Sequence, residues 1–273
     1  MNVCDYITVE TVKAFADATG VSDDAQYLQM IQQASREIEL IGRRVFYPYI
    51  AALKYDTPDD DTLLLSDDLL SITSLKNGDG STLTSSDYIA YPSNRTPIYK
   101  IVNIGTIGWL LDSLGRKYNA IEIAGVYGYI EHYADSWGLT GATLSAAIAD
   151  ASTTSATCTT GKVKAGDLIQ IETEWIYVSA VTISTSDTLT MIRGVNGSAA
   201  AAHSINTAIS RYSVHPSIQS VCKRAVIAYN KLRSNPLGET IVADGITYTT
   251  PRDVAKYIRS QMMELGLCGR GMT

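Results

Sequence analysis

The chain has 273 residues, of which 45% are hydrophobic and 18% charged, and its formal charge is −6. This composition is globular and excludes a disordered chain, and its longest apolar runs, such as Val226–Ala228, are too short to cross a bilayer. The acidic balance argues against tight nucleic-acid binding, which rests on phosphate neutralisation, and suits a surface that DNA passes without sticking.

The length allows one large domain or two smaller ones. The N-terminus has no basic stretch followed by an apolar run, so no signal peptide is expected. Cys4, Cys158, Cys222 and Cys268 are scattered without a Cys-x-x-Cys pair, which reads as buried or incidental thiols. His132, His203 and His215 supply no zinc-ligand spacing. Seventeen Tyr stand against two Phe. Two readings of that ratio stay open: Tyr at wet interfaces, or Tyr replacing Phe inside elements.

The predicted elements begin with a short helix over Thr8–Thr19. Thr8 is its N-cap, Glu10 lies in its first turn, Val12, Phe15 and Ala16 form its apolar face, and Gly20 stops it. A long helix opens at Ser22 or Asp23 and runs to about Ile41. Tyr27, Ile31, Ala34, Ile38 and Ile41 form one stripe, Gly42 is the C-cap, and Arg43-Arg44 face the negative end of the dipole. From Phe46 the period changes to two. Ala51–Tyr55, Leu63–Leu65, Ile72–Leu75, Tyr88–Tyr91 and Ile98–Val102 read as short strands. Pro58–Asp61 reads as a solvated acidic turn, and Asn77-Gly78-Asp79-Gly80 as a hairpin turn. Ala120–Tyr129 alternates as a strand whose glycines mark bending or close approach.

Between about Ala142 and His203 the composition shifts to Thr, Ser, Ala, Gly and Val. Leu144–Ala151 reads as either a helix or a connector. Gly166-Asp167 is a turn, Leu168–Ile171 and Trp175–Val178 a hairpin, Leu189–Ile192 a strand, Arg193–Ser198 a turn-rich loop and Thr207–Tyr212 a closing strand. Helical patterning resumes with Pro216–Ser234, whose stripe is Ile218, Val221, Cys222, Ala225 and Tyr229. A hairpin over Ile241–Thr249 turns at Asp244-Gly245. A last helix starts at Thr250-Pro251, with Val254, Ile258 and Leu265 on one face and a glycine-punctuated tail beyond. The whole reads as α+β: a small helical-bundle core with β-hairpins over 1–139 and 214–273, and an inserted all-β barrel- or sandwich-like domain over 140–213.

Catalytic motifs are missing from the sequence. There is no Gly-x-Ser-x-Gly, P-loop or His-Glu-x-x-His, and Gly105-Thr-Ile-Gly108 is too short for a dinucleotide fingerprint. No enzyme, cofactor or metal is expected. Within the β segment, Glu174 and Arg193 are expected to pair and pin a loop, and His203 to bond a backbone group. A polar binding site for a partner or glycan is the alternative for these three residues.

The flanks resemble the head–tail connector (adaptor, or head-completion) proteins of tailed bacteriophages. The residues that carry this are the helix over Asp23–Ile41, Leu63-Leu-Leu with Ile72-Thr-Ser-Leu-Lys-Asn-Gly-Asp-Gly, Asp87-Tyr88-Ile-Ala-Tyr-Pro92, and Pro97-Ile-Tyr. Ile121-Glu-Ile-Ala-Gly-Val-Tyr-Gly-Tyr129 follows, a strand that in the family leads to a helix begun by proline, here Pro216-Ser-Ile-Gln. The intervening segment is similar to a small β module of phage virion proteins, through Gly166-Asp167, Ile169, Ile171, Glu174, Val178, Leu189, Arg193-Gly194, Gly197-Ser198 and His203. The resemblance implies a structural virion protein made in the host cytoplasm and placed at the neck. Its copies would form a roughly twelve-fold ring beneath the portal protein. That ring would extend the DNA channel without specific DNA binding and dock the tail, a second connector or a tail terminator. In the family the C-terminal segment reaches the portal. Leu265, Gly266, Leu267, Cys268, Gly269, Arg270, Gly271, Met272 and Thr273 fit that part, and a frayed terminus is the alternative. A competing reading is a tail or baseplate module whose β segment binds a surface glycan through exposed Trp175, Tyr177 or Tyr212.

Overall fold

A computed structural model of the chain describes residues 3–16, 20, 23–234, 240–243, 246–249 and 253–268. Among them are four α-helices and antiparallel sheets, so the fold is α+β. The chain divides into two compact units. One holds Val45–Ser136 with Asn196–Ser198, and the other Val3–Arg44, Trp137–Val195 and the described part of Ala199–Thr273. None of the described helices is long and apolar enough to cross a membrane.

The first unit is built on a six-stranded sheet of β1 (Tyr49–Tyr55), β2 (Thr62–Lys76), β3 (Thr82–Leu83), β4 (Tyr88–Tyr91), β5 (Ile98–Asn103) and β6 (Ile121–Tyr127). Its order is β1-β6-β2-β5-β4, with β3 paired to β2. Alternation along β6 buries Ile121, Ile123 and Tyr127 against Leu63, Leu69, Leu75 and Ile101. The two short strands expected at Leu63–Leu65 and Ile72–Leu75 are one strand of 15 residues. Ser66, Asp67 and Asp68 break the apolar pattern but not the strand, because the register to β5 shifts between Leu64 and Leu69. Asn77–Gly80 makes the expected turn, with Gly80 at φ 84°. Gly125 makes the close approach that its sequence context foretold: a Cβ there would lie 2.1 Å from the Ser71 carbonyl oxygen.

In the second unit, α1 (Val9–Ala16) is capped by Thr8, whose Oγ1 accepts the Thr11 N–H at 3.3 Å. Val9 and Val12 are buried, whereas Phe15 is exposed. Phe15 lies about 90° around the helix from that pair, and Lys223 covers its ring at 5.5 Å. The second helix, α2 (Asp24–Gly42), buries the whole predicted stripe from Tyr27 to Ile41. Its last helical residue is Gly42, and Arg43 takes the left-handed cap position at φ 50°. The third, α3 (Pro216–Ser234), buries Ile218, Val221, Cys222 and Ala225, while Tyr229 is half-buried and donates its hydroxyl to Glu37. The fourth, α4 (Val254–Glu264), is capped by Asp253, whose carboxylate accepts the Lys256 N–H at 2.9 Å. Its inner stripe is Val254, Ile258 and Met262. Leu265, expected on that stripe, lies past the helix end and is exposed. The expected start at Thr250-Pro251 and the turn at Asp244-Gly245 lie outside the described residues. The helices α2, α3 and α4 pack on one another, and α1 packs on α2 and α3.

The same unit carries β7 (Trp137–Thr143), β8 (Ser155–Thr159), β9 (Leu168–Ile171), β10 (Glu174–Thr182), β11 (Ser186–Ile192) and β12 (Ala208–Tyr212). They form a second sheet in the order β7-β12-β9-β10-β11-β8 around a core that includes Leu144, Ile169, Ile176, Val178 and Leu189. The edge strands β7 and β8 share no ladder. The bridge Leu144–Cys158 and the Ser145 N–H bond to the Thr157 carbonyl at 2.8 Å join their ends. Leu144–Ala151 is the connector of the two alternatives, with Leu144 and Ile148 each in an isolated bridge. The strands β13 (Thr240–Ala243) and β14 (Ile246–Thr249) form the expected hairpin. Cys4, Cys158 and Cys222 are buried free thiols and Cys268 is half-buried.

Candidate functional site

Three places in the chain gather polar or exposed apolar side chains in ways that their elements alone do not require. The first is a buried charge network in the second sheet. Glu174 opens β10 with its side chain fully buried, and Arg193 follows β11 with its side chain 4% exposed. The guanidinium grips the carboxylate with both arms, Nε to Oε1 and Nη2 to Oε2, each at 2.6 Å. Its remaining N–H groups donate to the carbonyls of Thr153 at 2.9 Å and Ala201 at 2.5 Å. Glu174 also accepts the N–H of Gly194 and of Ala201, each at 3.0 Å. Among the described residues, the His203 side chain bonds carboxylates and no backbone group. Its Nε2 lies 2.8 Å from Glu174 and its Nδ1 2.7 Å from Glu172. Burial pushes the Glu174 carboxyl up, but Arg193, His203 and the two amides outweigh it and hold the group below its ordinary value. Every lone pair of Glu174 faces a donor held by these loops, so the network pins 150–153 and 193–203 to the sheet and leaves little room for a ligand.

The second place is a polar cavity of about 310 Å³ lined by residues of the N-terminal segment, the second sheet and the start of α3. Asp5 stands at its wall and accepts the Tyr177 hydroxyl at 2.7 Å. Burial raises the Asp5 carboxyl to about 6, against the lowering effects of Tyr177 and Arg36. Burial also raises Asp167, opposed by the Lys164 amide and Arg211. Because Asp5 binds its proton more tightly in the folded chain, it favours folding in acid, and that contribution is lost as pH rises from about 4 to 6. Asp5→Asn keeps an acceptor for Tyr177 without the buried charge. It is expected to gain on the order of 2 kcal/mol over the parent at pH 8 and almost nothing at pH 4. Urea unfolding at the two pH values checks this, and an equal difference at both would refute the assignment.

The third place is the long connection between β5 and β6, which the sequence reading touched only in setting aside Gly105–Gly108 as a dinucleotide fingerprint. Ile104, Ile107, Leu111, Leu114 and Tyr118 are all exposed along it. Its backbone is nevertheless held. Asn77 bonds both Gly108 and Leu110, Thr57 bonds Leu110 and Lys117, the Trp109 indole donates to the Asp61 carbonyl, and Asp56 accepts from Asn119. A Cβ on Gly78 would lie 2.1 Å from the Leu110 carbonyl oxygen, so the connection lies flat on the turn after β2. A run of apolar residues with neither helical nor strand period was the available sequence signal.

Of the C-terminal residues, Leu265 is exposed and Gly266 turns with φ 65°. Leu267 is buried and donates its N–H to the Met262 carbonyl at 2.9 Å, and Cys268 is half-buried. Gly269, Arg270, Gly271, Met272 and Thr273 lie outside the described residues. Trp175, Tyr177 and Tyr212, which a glycan platform would expose, are each 3–6% exposed. Trp137 and Trp175 stack at 5.6 Å, and Tyr212 packs on Trp137 at 5.6 Å.

No family model matches this chain, and no curated protein matches it. A chain of the solved structure "Neck of empty GTA particle computed with C6 symmetry" is similar to it, with 17% identity and a TM-score of 0.31. That match spans 45% of this chain and 65% of the other, just under two thirds of the other chain's length.

Proposed function

We propose that this chain is a structural virion protein of a tailed phage, a head–tail adaptor whose copies form a ring beneath the portal. The ring extends the DNA channel and docks the tail or the next connector component. What supports this reading is the order of elements along the chain. The strand Ile121–Tyr127, with the close-approach glycines Gly125 within it and Gly128 just after it, precedes a helix begun by Pro216, the order that the resemblance implies, and that helix packs on α2. In this reading the second sheet is a partly closed barrel made rigid by Glu174, Arg193 and His203, and it projects from the outer rim of the ring. No catalytic step is assigned; buried area and symmetry do the work. The glycan-binding alternative loses its support with the burial of Trp175, Tyr177 and Tyr212.

Mixing the chain with the portal protein of the same genome tests the reading. Negative-stain images are expected to show a ring of added density at the portal's narrow end. No association between two folded proteins would refute it. Within the C-terminal segment, the truncation that leaves the helical core intact starts at Gly269, because Leu267 is part of that core. Deleting Gly269–Thr273 is expected to weaken portal binding about tenfold or more with an unchanged thermal midpoint. Unchanged binding would remove the tail from the portal contact.

A further inference from the structure

The formal charge of the chain is not evenly spread. Residues 45–136 hold twelve Asp and Glu against six Lys and Arg, which accounts for the whole −6. Much of this excess gathers at one end of the first sheet. Asp56, Asp59, Asp60 and Asp61 on the β1–β2 turn are exposed there, beside Asp112 of the β5–β6 connection, with Arg116 and Lys117 as the local cations. Ile107, Leu111, Leu114 and Tyr118 protrude from the same end, between 47% and 71% exposed. Large apolar side chains held in water on a pinned backbone mark an interaction surface.

The helical core carries the opposite pattern. The sequence of α3 contains no carboxylate, and Arg224 and Lys231, seven residues apart, are exposed on one face of it. On α4, Lys256, Arg259 and Met263 form an exposed stripe at spacings of three and four. On the other flank of α4, Arg224 donates to Gln261 at 2.8 Å and so ties α3 to α4. The exposed α4 stripe is itself basic beside an apolar methionine, the complement in charge of the loop end.

We infer that the acidic, apolar-tipped end formed by residues 104–120 and the β1–β2 turn of one copy docks on the basic α4 stripe of Lys256, Arg259 and Met263 of a second copy. The two surfaces differ, so the contact is heterologous and propagates from copy to copy until rotation closes it. Charge complementarity steers and orients the encounter, and the apolar tips supply the desolvated centre. This gives the proposed ring its subunit contact, and it rests on the adaptor reading only for the closure of that ring.

Sedimentation of the full chain, without portal, tests the contact. The parent is expected to self-associate with rising concentration, and less so with rising salt. Leu111→Asp/Leu114→Asp and Lys256→Glu/Arg259→Glu are each expected to weaken association at least about tenfold. An equimolar mixture of the two is expected to form a one-to-one dimer that grows no further, since each variant retains the surface the other lacks. Asp59→Lys/Asp60→Lys serves as the loop-side variant if the leucine changes disturb folding, both aspartates being exposed.

A parent that stays monomeric at every concentration and salt overturns the inference, as does a mixture that stays monomeric. So does binding of the monomeric parent to duplex DNA that Lys256→Glu/Arg259→Glu abolishes, which would give the basic face to nucleic acid. Self-association without portal binding would instead remove the adaptor reading and keep this contact.

Discussion

Arg193→Met is expected to destabilise the second unit by about 3–5 kcal/mol, because it leaves the Glu174 carboxylate buried without its main partner. Urea unfolding followed by circular dichroism measures this, and a loss under about 1 kcal/mol would show that the pair does not hold the loops. Glu174→Leu/Arg193→Met is expected to recover only part of the loss, since the amides of Gly194 and Ala201 then lack an acceptor. The sign with pH is opposite to that of Asp5. Glu174 is held below its ordinary 4.5, so its contribution is present above that value and lost as pH falls through its lowered one. The gap between parent and Arg193→Met should therefore narrow in acid.

Gly125→Ala is expected to cost about 3 kcal/mol or more, although it adds one methyl group. Gly125 sits in the middle of β6 with Ala51 of β1 and Ile72 of β2 on its two sides. The new carbon would lie 2.1 Å from the Ser71 carbonyl oxygen and 3.3 Å from a Leu69 methyl, so β2 must move. Gly138→Ala in β7 is the matched control. Nothing lies within 4 Å of a Cβ there, and a change within about 0.5 kcal/mol is expected. Thermal unfolding of both variants decides it. Equal midpoints would mean that β2 yields at no cost.

Legibility in the sequence followed how local the cause was. The α2 stripe and the Pro216 helix start were readable because period and capping act within a few residues. The 15-residue β2 was not. Its Ser66-Asp67-Asp68 interruption looks like a turn until the register shift with β5 is known, and that shift depends on a strand about 30 residues away. Leu265 was misplaced for a similar reason: Met262 occupies the next inward position after Ile258, and the helix stops before Leu265. In the charge network, the pairing of Glu174 with Arg193 was legible from the likeness of the segment to a small β module and from their opposite charges. The destination of His203 was not, because Glu172 and Glu174 are some 30 residues from it in sequence. The pinned connection at 104–120 lacks any repeat, and its order comes from Thr57, Asn77 and Asp56, each on another segment.

Trp137, where the chain enters the second sheet, is paired directly across from Tyr212, where the chain leaves it. Paired residues of neighbouring antiparallel strands lie about 5 Å apart. A stretch of 74 intervening residues thus begins and ends at almost the same point in space. Such a stretch behaves as a cassette: a single recombination event can add it to a gene, remove it or exchange it for another without moving the flanking chain. Shortened versions that join the flanks at this point, and versions carrying a different module there, are therefore the variants to seek among natural sequences. One cost of excision is local. Asp5 would lose Tyr177, and position 5 should drift away from aspartate wherever the cassette is missing.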